Sequence, residues 1–352
     1  MEQPSYKYRW PCLDCIWFLH HTFSFDSINS LQGPSSTTIN YTSATQSIFN
    51  PILTMAYKSV ALVGASGNLG QITLPAFLES DLEVTAIVRS TSTATFPEGI
   101  KVIKTEYNLG DLTEALKGKD AVVSMIPIVS LDQQAVVIDA AIAAGVKRFI
   151  PSEYGSDTRS EKVLAAVPFF KVKKDYLDLL KTKEDVISWT ALFTGPFFDW
   201  GLPLGFWGFD LANRKALLVD EGKATFTTSN GAQIGRALVG ILKHPEETSN
   251  IIVAVESFTT SQLETLEILE KVTNTKFERK YQTSEELRGE AFKLLSEGNI
   301  NDGGAKLISA LVFGKENLED HKHLDLGKWN KLLGLPTESI EETIERVIKG
   351  QT

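Results

Sequence analysis

Three glycines at intervals of three, Gly64, Gly67 and Gly70, follow the apolar run KSVALV and lead into the helical stretch QITLPAFLES. In a strand–turn–helix unit the first such glycine permits the tight turn. The second lets backbone approach a pyrophosphate, and the third lets helix pack closely on strand. The N–H groups of Ser66, Gly67, Asn68 and Leu69 would then lie at a helix N-terminus, which favours anionic phosphates. Strand, turn, helix and next strand fall in the required order, so the signal is stronger than a bare glycine triplet.

The next strand, LEVTAIVR, ends in Arg89, and Ser90, Thr91, Ser92 and Thr93 follow it. An NAD site carries an Asp or Glu near this point for the ribose 2′-hydroxyl. A guanidinium instead matches a 2′-phosphate bidentately, and the hydroxyls add hydrogen bonds. The cofactor expected from these residues is NADP(H).

A reducing enzyme also needs a group that moves a proton. No tyrosine in the chain has a lysine four positions later, so the Tyr-x-x-x-Lys chemistry of many short-chain dehydrogenases is absent. The stretch PFFKVKKDYLDLLK offers three lysines, which helical geometry separates. Lys173 shares its face with Phe169, Phe170, Tyr176 and Leu177, because residues three and four apart are neighbours. Lys171 and Lys174 share theirs with Asp175 and Asp178. An ammonium on an apolar face is desolvated, which lowers its pKa toward the range useful in proton transfer. Periodicity alone fits a snorkelling lysine equally well.

The elements that must carry these residues read as alternating strands and helices. GIKVIKTEY, DAVVSMIPI, VKRFIPS and ISWTALFTG are further strands. DLTEALKG and DQQAVVIDAAIAAG are helices, the second closed by Gly145, and another helix runs from about Pro168 to Lys181. Such alternation indicates βαβ units and a parallel sheet. The expected fold is α/β: a Rossmann-type, doubly wound, mostly parallel sheet over 55–195. A smaller α+β substrate lobe over 196–352 follows, some of whose segments return to the sheet. Residues 1–54, rich in Ser, Thr and Asn, read as a poorly ordered extension.

Composition sets the outer bounds. The chain has 352 residues, 43% of them hydrophobic, and a net charge of −9. That disfavours nucleic acid or an acidic membrane as partner and leaves a small-molecule substrate. No run of 18 uncharged apolar residues is present, and no targeting segment is evident, so a cytoplasmic location is expected. Cys12 and Cys15, near His20 and His21, are the only cysteines. They are read as incidental rather than as a zinc site, and the His321/His323 pair in HKHLDL as part of a solvated loop. No metal is expected.

Taken in order, VALVGASGNLG, AIVRS, DLTEALKGKDAVVS, GVKRFIPSEYGSD, FKVK, LFTGPFFDWG and DEGKATFTTSNGAQIG resemble the NmrA-like group of atypical short-chain dehydrogenases/reductases. Within it they are most similar to the isoflavone reductase-like branch, in its fungal form. The resemblance covers about Lys58 to Gly240 and loosens beyond. It implies an NADPH-dependent reductase of a small conjugated or aromatic molecule in secondary metabolism. It also implies a catalytic lysine three positions after a phenylalanine, which is Lys173, and an aromatic residue over the nicotinamide, which is Phe197. Ser124, Met125 and Ile126 would border the cofactor, and Phe197, Phe198 and Trp200 would form an apolar wall. Where the family often has Asn-Cys-Phe, this chain has Gly195, Pro196 and Phe197. Some relatives bind NADP(H) without turnover and regulate a partner protein, so a cofactor sensor is the alternative reading.

Overall fold

The structure is a computed structural model that describes residues 57–350. The N-terminal extension, with Cys12, Cys15, His20 and His21, lies outside those residues.

The first half builds the sheet. Strands β1 (Ser59–Val63), β2 (Glu83–Arg89) and β3 (Lys101–Thr105) are joined by helix α1 (Asn68–Leu78) and a loop. Helix α2 (Leu109–Leu116) leads to β4 (Ala121–Ser124), α3 (Gln134–Ala143) and β5 (Arg148–Ile150). Then come α4 (Glu161–Ala166), α5 (Lys171–Lys181) and β6 (Ser188–Phe193). The helix expected from Pro168 splits: Pro168–Phe170 form a 3-10 turn, and α5 starts at Lys171. Proline fixes the backbone of a first helical turn well but offers it no N–H donor. Helix starts follow local chemistry. The Asn108 side chain accepts from the Asp111 N–H ahead of α2, and Ser160 accepts from the Val163 N–H ahead of α4, each satisfying an otherwise orphaned donor.

The second half is divided between two jobs. Helix α6 (Phe198–Gly201), β7 (Phe209–Asp210), β8 (Lys215–Val219) and β9 (Thr225–Thr228) leave the main sheet. Helix α7 (Gly231–Lys243) and β10 (Ile251–Ala254) return to it, β10 pairing in parallel with β6. Next come β11 (Phe258–Ser261), α8 (Gln262–Thr273), β12 (Glu278–Gln282), α9 (Ser284–Ser296) and α10 (Ile300–Phe313). Helices α11 (Leu326–Leu332) and α12 (Ile340–Ile348) end the described chain.

The resulting seven-stranded parallel sheet has the order β10-β6-β5-β4-β1-β2-β3. It is a Rossmann-type doubly wound arrangement, as the strand–helix alternation predicts. One face buries Leu74 and Phe77 of α1 with Ile234, Leu238 and Ile241 of α7. The other buries Leu112 of α2, Val137 and Ile138 of α3, and Leu177 and Leu180 of α5. β1 and β4 explain why the strands read as continuous apolar runs: they are buried along their whole length, on both faces. Strand order reverses between β1 and β4, and a ligand crevice in such a sheet lies beyond the carboxyl ends of the strands at this switch.

The small sheets β12-β8-β7 and β11-β9 enclose a separate aromatic core. Trp207, with no exposed surface, stacks on Phe226 at 5.1 Å and also meets Phe198 and Phe313. Trp207→Ala should therefore cost about 3–5 kcal/mol of stability, as large core truncations do, measured by urea unfolding. A loss below about 1 kcal/mol would show that this cluster does not carry its part of the fold.

Candidate functional site at the carboxyl edge of the sheet

The glycine turn lies at the switch point. Val63 of β1 is in register with Ser124 of β4, so the Gly64 turn and the segment after β4 stand side by side. Gly64 has φ +87°, and a side chain there would press on the Met125 carbonyl at 2.7 Å. Glycine is therefore required both for conformation and for space. Gly67 donates its N–H to the Gly64 carbonyl at 2.9 Å and precedes the first residue of α1. At Gly70 an added Cβ would fall 2.4 Å from the Ala65 carbonyl oxygen, which is the close helix–strand approach expected of the third glycine. Gly67 and Asn68 are exposed, Ser66 and Leu69 half-buried. The outer side of the turn is thus open to a ligand.

Arg89 closes β2. Val63 pairs with Ile87, which puts Arg89 level with the glycine turn on the neighbouring strand. Its side chain is exposed and, among the described residues, makes no salt bridge. Its charge acts on Tyr107, whose hydroxyl burial pushes up to about 12. Ser90 is half-buried and its N–H is taken by the Thr105 carbonyl. Only its side chain and carbonyl remain for a ligand.

The segment after β4 is tied inward. Ser124 is fully buried, and its hydroxyl has no hydrogen-bond partner among the described residues. The Ile126 side chain packs in the core beneath the sheet, and its carbonyl accepts from the Ser152 hydroxyl at 2.8 Å. Backbone, rather than side chain, is what Ile126 can offer.

Lys173 lies farther along the same edge, on α5. Its ammonium sits 5.2 Å from the centre of the Phe170 ring and donates to the Glu153 carbonyl at 2.5 Å. Burial pushes its pKa down, while the charges of Glu153 and Glu319 pull it back up. Lys171 and Lys174 instead form outward ion pairs with Asp175 and Asp178. The structure thus decides what helical periodicity left open: Lys173 is the lysine turned into the protein.

Its acidic neighbour Glu153 is 1% exposed, in the loop after β5. Burial raises its carboxyl to about 7, against the pull of the Lys173 charge and of a hydrogen bond from the Thr158 hydroxyl at 2.9 Å. Asp157, close by, is held low: burial works against ionisation, but the bonds and charge of Arg159 outweigh it.

Phe197 is half-buried at the end of β6 and meets Trp200 edge to face at 6.5 Å. Phe198 departs from the expectation. It is fully buried and turned into the aromatic core, against Trp207 and Phe258, so it is no part of a pocket wall. The reason is its place at the start of α6, where successive side chains diverge and one of two adjacent phenylalanines must face the second core.

The HKH stretch also departs from the expectation. His323 is exposed, 3.4 Å from Asp157, but His321 is completely buried. The segment is pinned to β9: the Glu319 carbonyl accepts from the Thr227 N–H at 2.8 Å, and the His321 N–H donates to the Thr227 hydroxyl at 3.0 Å. Backbone pairing of this kind draws a polar segment inward whatever its side chains. Glu153 lies inside the stretch PSEYG, and no local pattern marks it as buried. Glu319 and His321 had no sequence signal beyond one H-x-H spacing. Among the described residues no group of three or more His, Cys, Asp or Glu could hold a metal ion, and no helix is long and apolar enough to cross a membrane.

Residues 56–198 match the NmrA-like family. The oxidoreductase aprR of Aspergillus flavus is 33% identical over 297 residues, covering 83% of this chain and 99% of that protein. The isoflavone reductase homolog IRL of Zea mays is 27% identical over 64% of this chain and 77% of its own length. Among solved structures, the leucoanthocyanidin reductase–NADPH complex from Vitis vinifera superposes with a TM-score of 0.69, at 20% identity, over 83% of this chain and 99% of that one. At that identity the superposition speaks for the fold.

Because burial keeps the Glu153 carboxyl protonated up to about 7, against 4.5 for the free group, the folded protein binds more protons than the unfolded chain between those values. The contribution is fully present below about pH 4.5 and lost as pH rises through about 7. Glu153→Gln should remove that slope, so that the variant gains thermal stability relative to the native protein on going from about pH 5 to about pH 8. A constant difference in Tm across this range would mean that Glu153 is ionised throughout.

Proposed function

The chain belongs to the NmrA-like family, and on that premise we propose that it is an NADPH-dependent reductase of a small conjugated or aromatic molecule, acting in the cytoplasm in secondary metabolism. The observation that carries the reading is the inward, desolvated Lys173 on the same sheet edge as the glycine turn.

The residues present fit a phosphorylated dinucleotide. The turn at Gly64 leaves no room for side chains on its inner side and exposes backbone at Gly67 and Asn68 on its outer side. These N–H groups and the start of α1 would hold the pyrophosphate. Arg89, without an acidic partner among the described residues, would take the 2′-phosphate, with Ser90 beside it. Ser124 and the backbone at Ile126 would border the inner half of the cofactor, and Phe197 would pack on the nicotinamide side of the crevice. When bound, NADPH supplies the hydride, which is the part of the chemistry that no side chain can provide.

The rest falls to the protein. Lys173 would hold and deliver a proton at Nζ, or polarise the group that receives electrons. Its contact with the Glu153 carbonyl aims the ammonium. Phe197 and Trp200 would exclude water and give an aromatic substrate a surface to stack on.

Two measurements test this. Calorimetric titration should show tighter binding of NADPH than NADH. Arg89→Ala should weaken NADPH about tenfold or more, the worth of a lost charge-assisted contact, and leave NADH within about twofold. An NADH preference in the native protein would remove the cofactor assignment. Lys173→Ala should lower turnover about 100-fold or more while NADPH still binds. Undiminished turnover would leave Lys173 without a catalytic role. NADPH binding with no oxidation, whatever the candidate substrate, would favour a cofactor sensor instead.

A further inference from the structure

The turn after β2 holds a second cation besides Arg89. The Ser92 N–H donates to the Arg89 carbonyl at 2.9 Å and closes the turn, and the Ala94 N–H donates to the Ser92 hydroxyl at 3.3 Å. Lys104, on β3, reaches back into this turn: its ammonium donates to the Ser92 carbonyl at 2.8 Å. The turn from Arg89 to Ser92 therefore starts with a guanidinium and ends on an ammonium.

Strand register explains the placement. Lys104 pairs with Val88, and Thr105 with Arg89. Successive strand positions face opposite sides of a sheet, so Arg89 and Lys104 leave neighbouring strands on opposite sides, one position apart. The bond to Ser92 brings the ammonium up to the carboxyl end of β2, the edge on which the crevice lies. A group held just beyond the two strand ends would stand between the cations.

β3 is an edge strand, and a lysine on such a strand commonly serves only to discourage pairing with another chain. Lys101, at the amino end of β3, fits that role: it is exposed and makes no hydrogen bond or ion pair among the described residues. Lys104 differs, because its ammonium is fixed on the turn that carries Arg89. It also has no carboxylate partner among the described residues. Glu98 and Glu106 are exposed and make no ion pair among those residues, and the Asp111 carboxylate accepts from the Glu106 N–H and the Asn108 amide. An ammonium has three N–H donors, so the bond to Ser92 leaves two for a ligand. A phosphate monoester carries a charge of about −1.5 to −2 near neutral pH, more than one guanidinium offsets.

We propose that Lys104 is a second cationic ligand of the cofactor's 2′-phosphate and, with Arg89, a specificity-determining residue for NADPH over NADH. This role rests on the cofactor site proposed at Arg89. The guanidinium would take the phosphate oxygens from one side, and Lys104 would offset the remaining charge from the other. The bond to Ser92 also orders the hydroxyl-bearing turn before the cofactor arrives, which lowers the entropy lost on binding.

The test is calorimetric titration of the full chain with NADPH and with NADH. Lys104→Met removes the charge and should weaken NADPH about fivefold or more, while NADH stays within about twofold. Lys104→Arg, which keeps the charge, should restore most of the lost NADPH affinity. Added salt should weaken NADPH binding less in Lys104→Met than in the native protein, because one screened charge pair is gone. An equal salt dependence would count against the proposal. In the double variant Arg89→Ala/Lys104→Met, NADPH should keep no advantage over NADH. Equal loss of both nucleotides in Lys104→Met would mark support of the turn alone and overturn the proposal. Unchanged NADPH affinity in that variant would overturn it as well. A native protein without a preference for NADPH defeats the assignment of Arg89 and this role together. A native preference that survives Lys104→Met in full defeats the role of Lys104 alone.

Discussion

An ammonium group carried on an apolar helix face has to be held, and the carboxyl edge of the sheet is organised around holding one. Lys173 is half-buried and turns inward where Lys171 and Lys174 pair outward, because α5 buries Leu177 and Leu180 of the same face against the sheet. Its charge is met by the Glu153 carbonyl and the Phe170 ring. The carbonyl comes from the loop after β5, 20 residues earlier in the chain, so the group can be held only in the folded state.

Those stretches are linked to one another as well as to the lysine. Ser152 ties the loop after β5 to the loop after β4. The Gly155 carbonyl accepts from the N–H groups of Thr194 and Gly195 after β6. The Ser229 hydroxyl donates back to the Thr194 carbonyl, and β9 in turn carries the Glu319 backbone. Adjacent strand ends are thereby locked in order, which gives the crevice a fixed wall on a rigid sheet. Sites that need angular precision are best built on such supports.

The return of α7 and β10 to the main sheet has a consequence for this edge. It buries one sheet face under α1 and α7 together and adds a seventh strand beyond β6. β6, which leads into the Phe197 turn, is then an interior strand paired on both sides. The aromatic core around Trp207 claims Phe198, while Phe197 stays at the crevice. Two neighbouring phenylalanines thus serve different cores, and the division follows from where α6 begins.

Local chemistry made much of this legible. Periodicity, glycine spacing and a strand-end arginine depend on residues close in sequence, so the βαβ order, the turn at Gly64–Gly70, the place of Arg89 and the apolar face of Lys173 could all be read directly. What lay beyond reach was set by contacts across the chain. Which half-buried lysine turns inward depends on what covers α5. The burial of His321 depends on backbone bonds to a strand almost a hundred residues earlier. The meeting of Lys173 with the Glu153 carbonyl leaves no mark in either segment. A linear pattern records which faces are apolar, because burial is repeated along each element. It does not record which isolated polar groups meet, because each such meeting occurs once and is fixed only when the elements have packed.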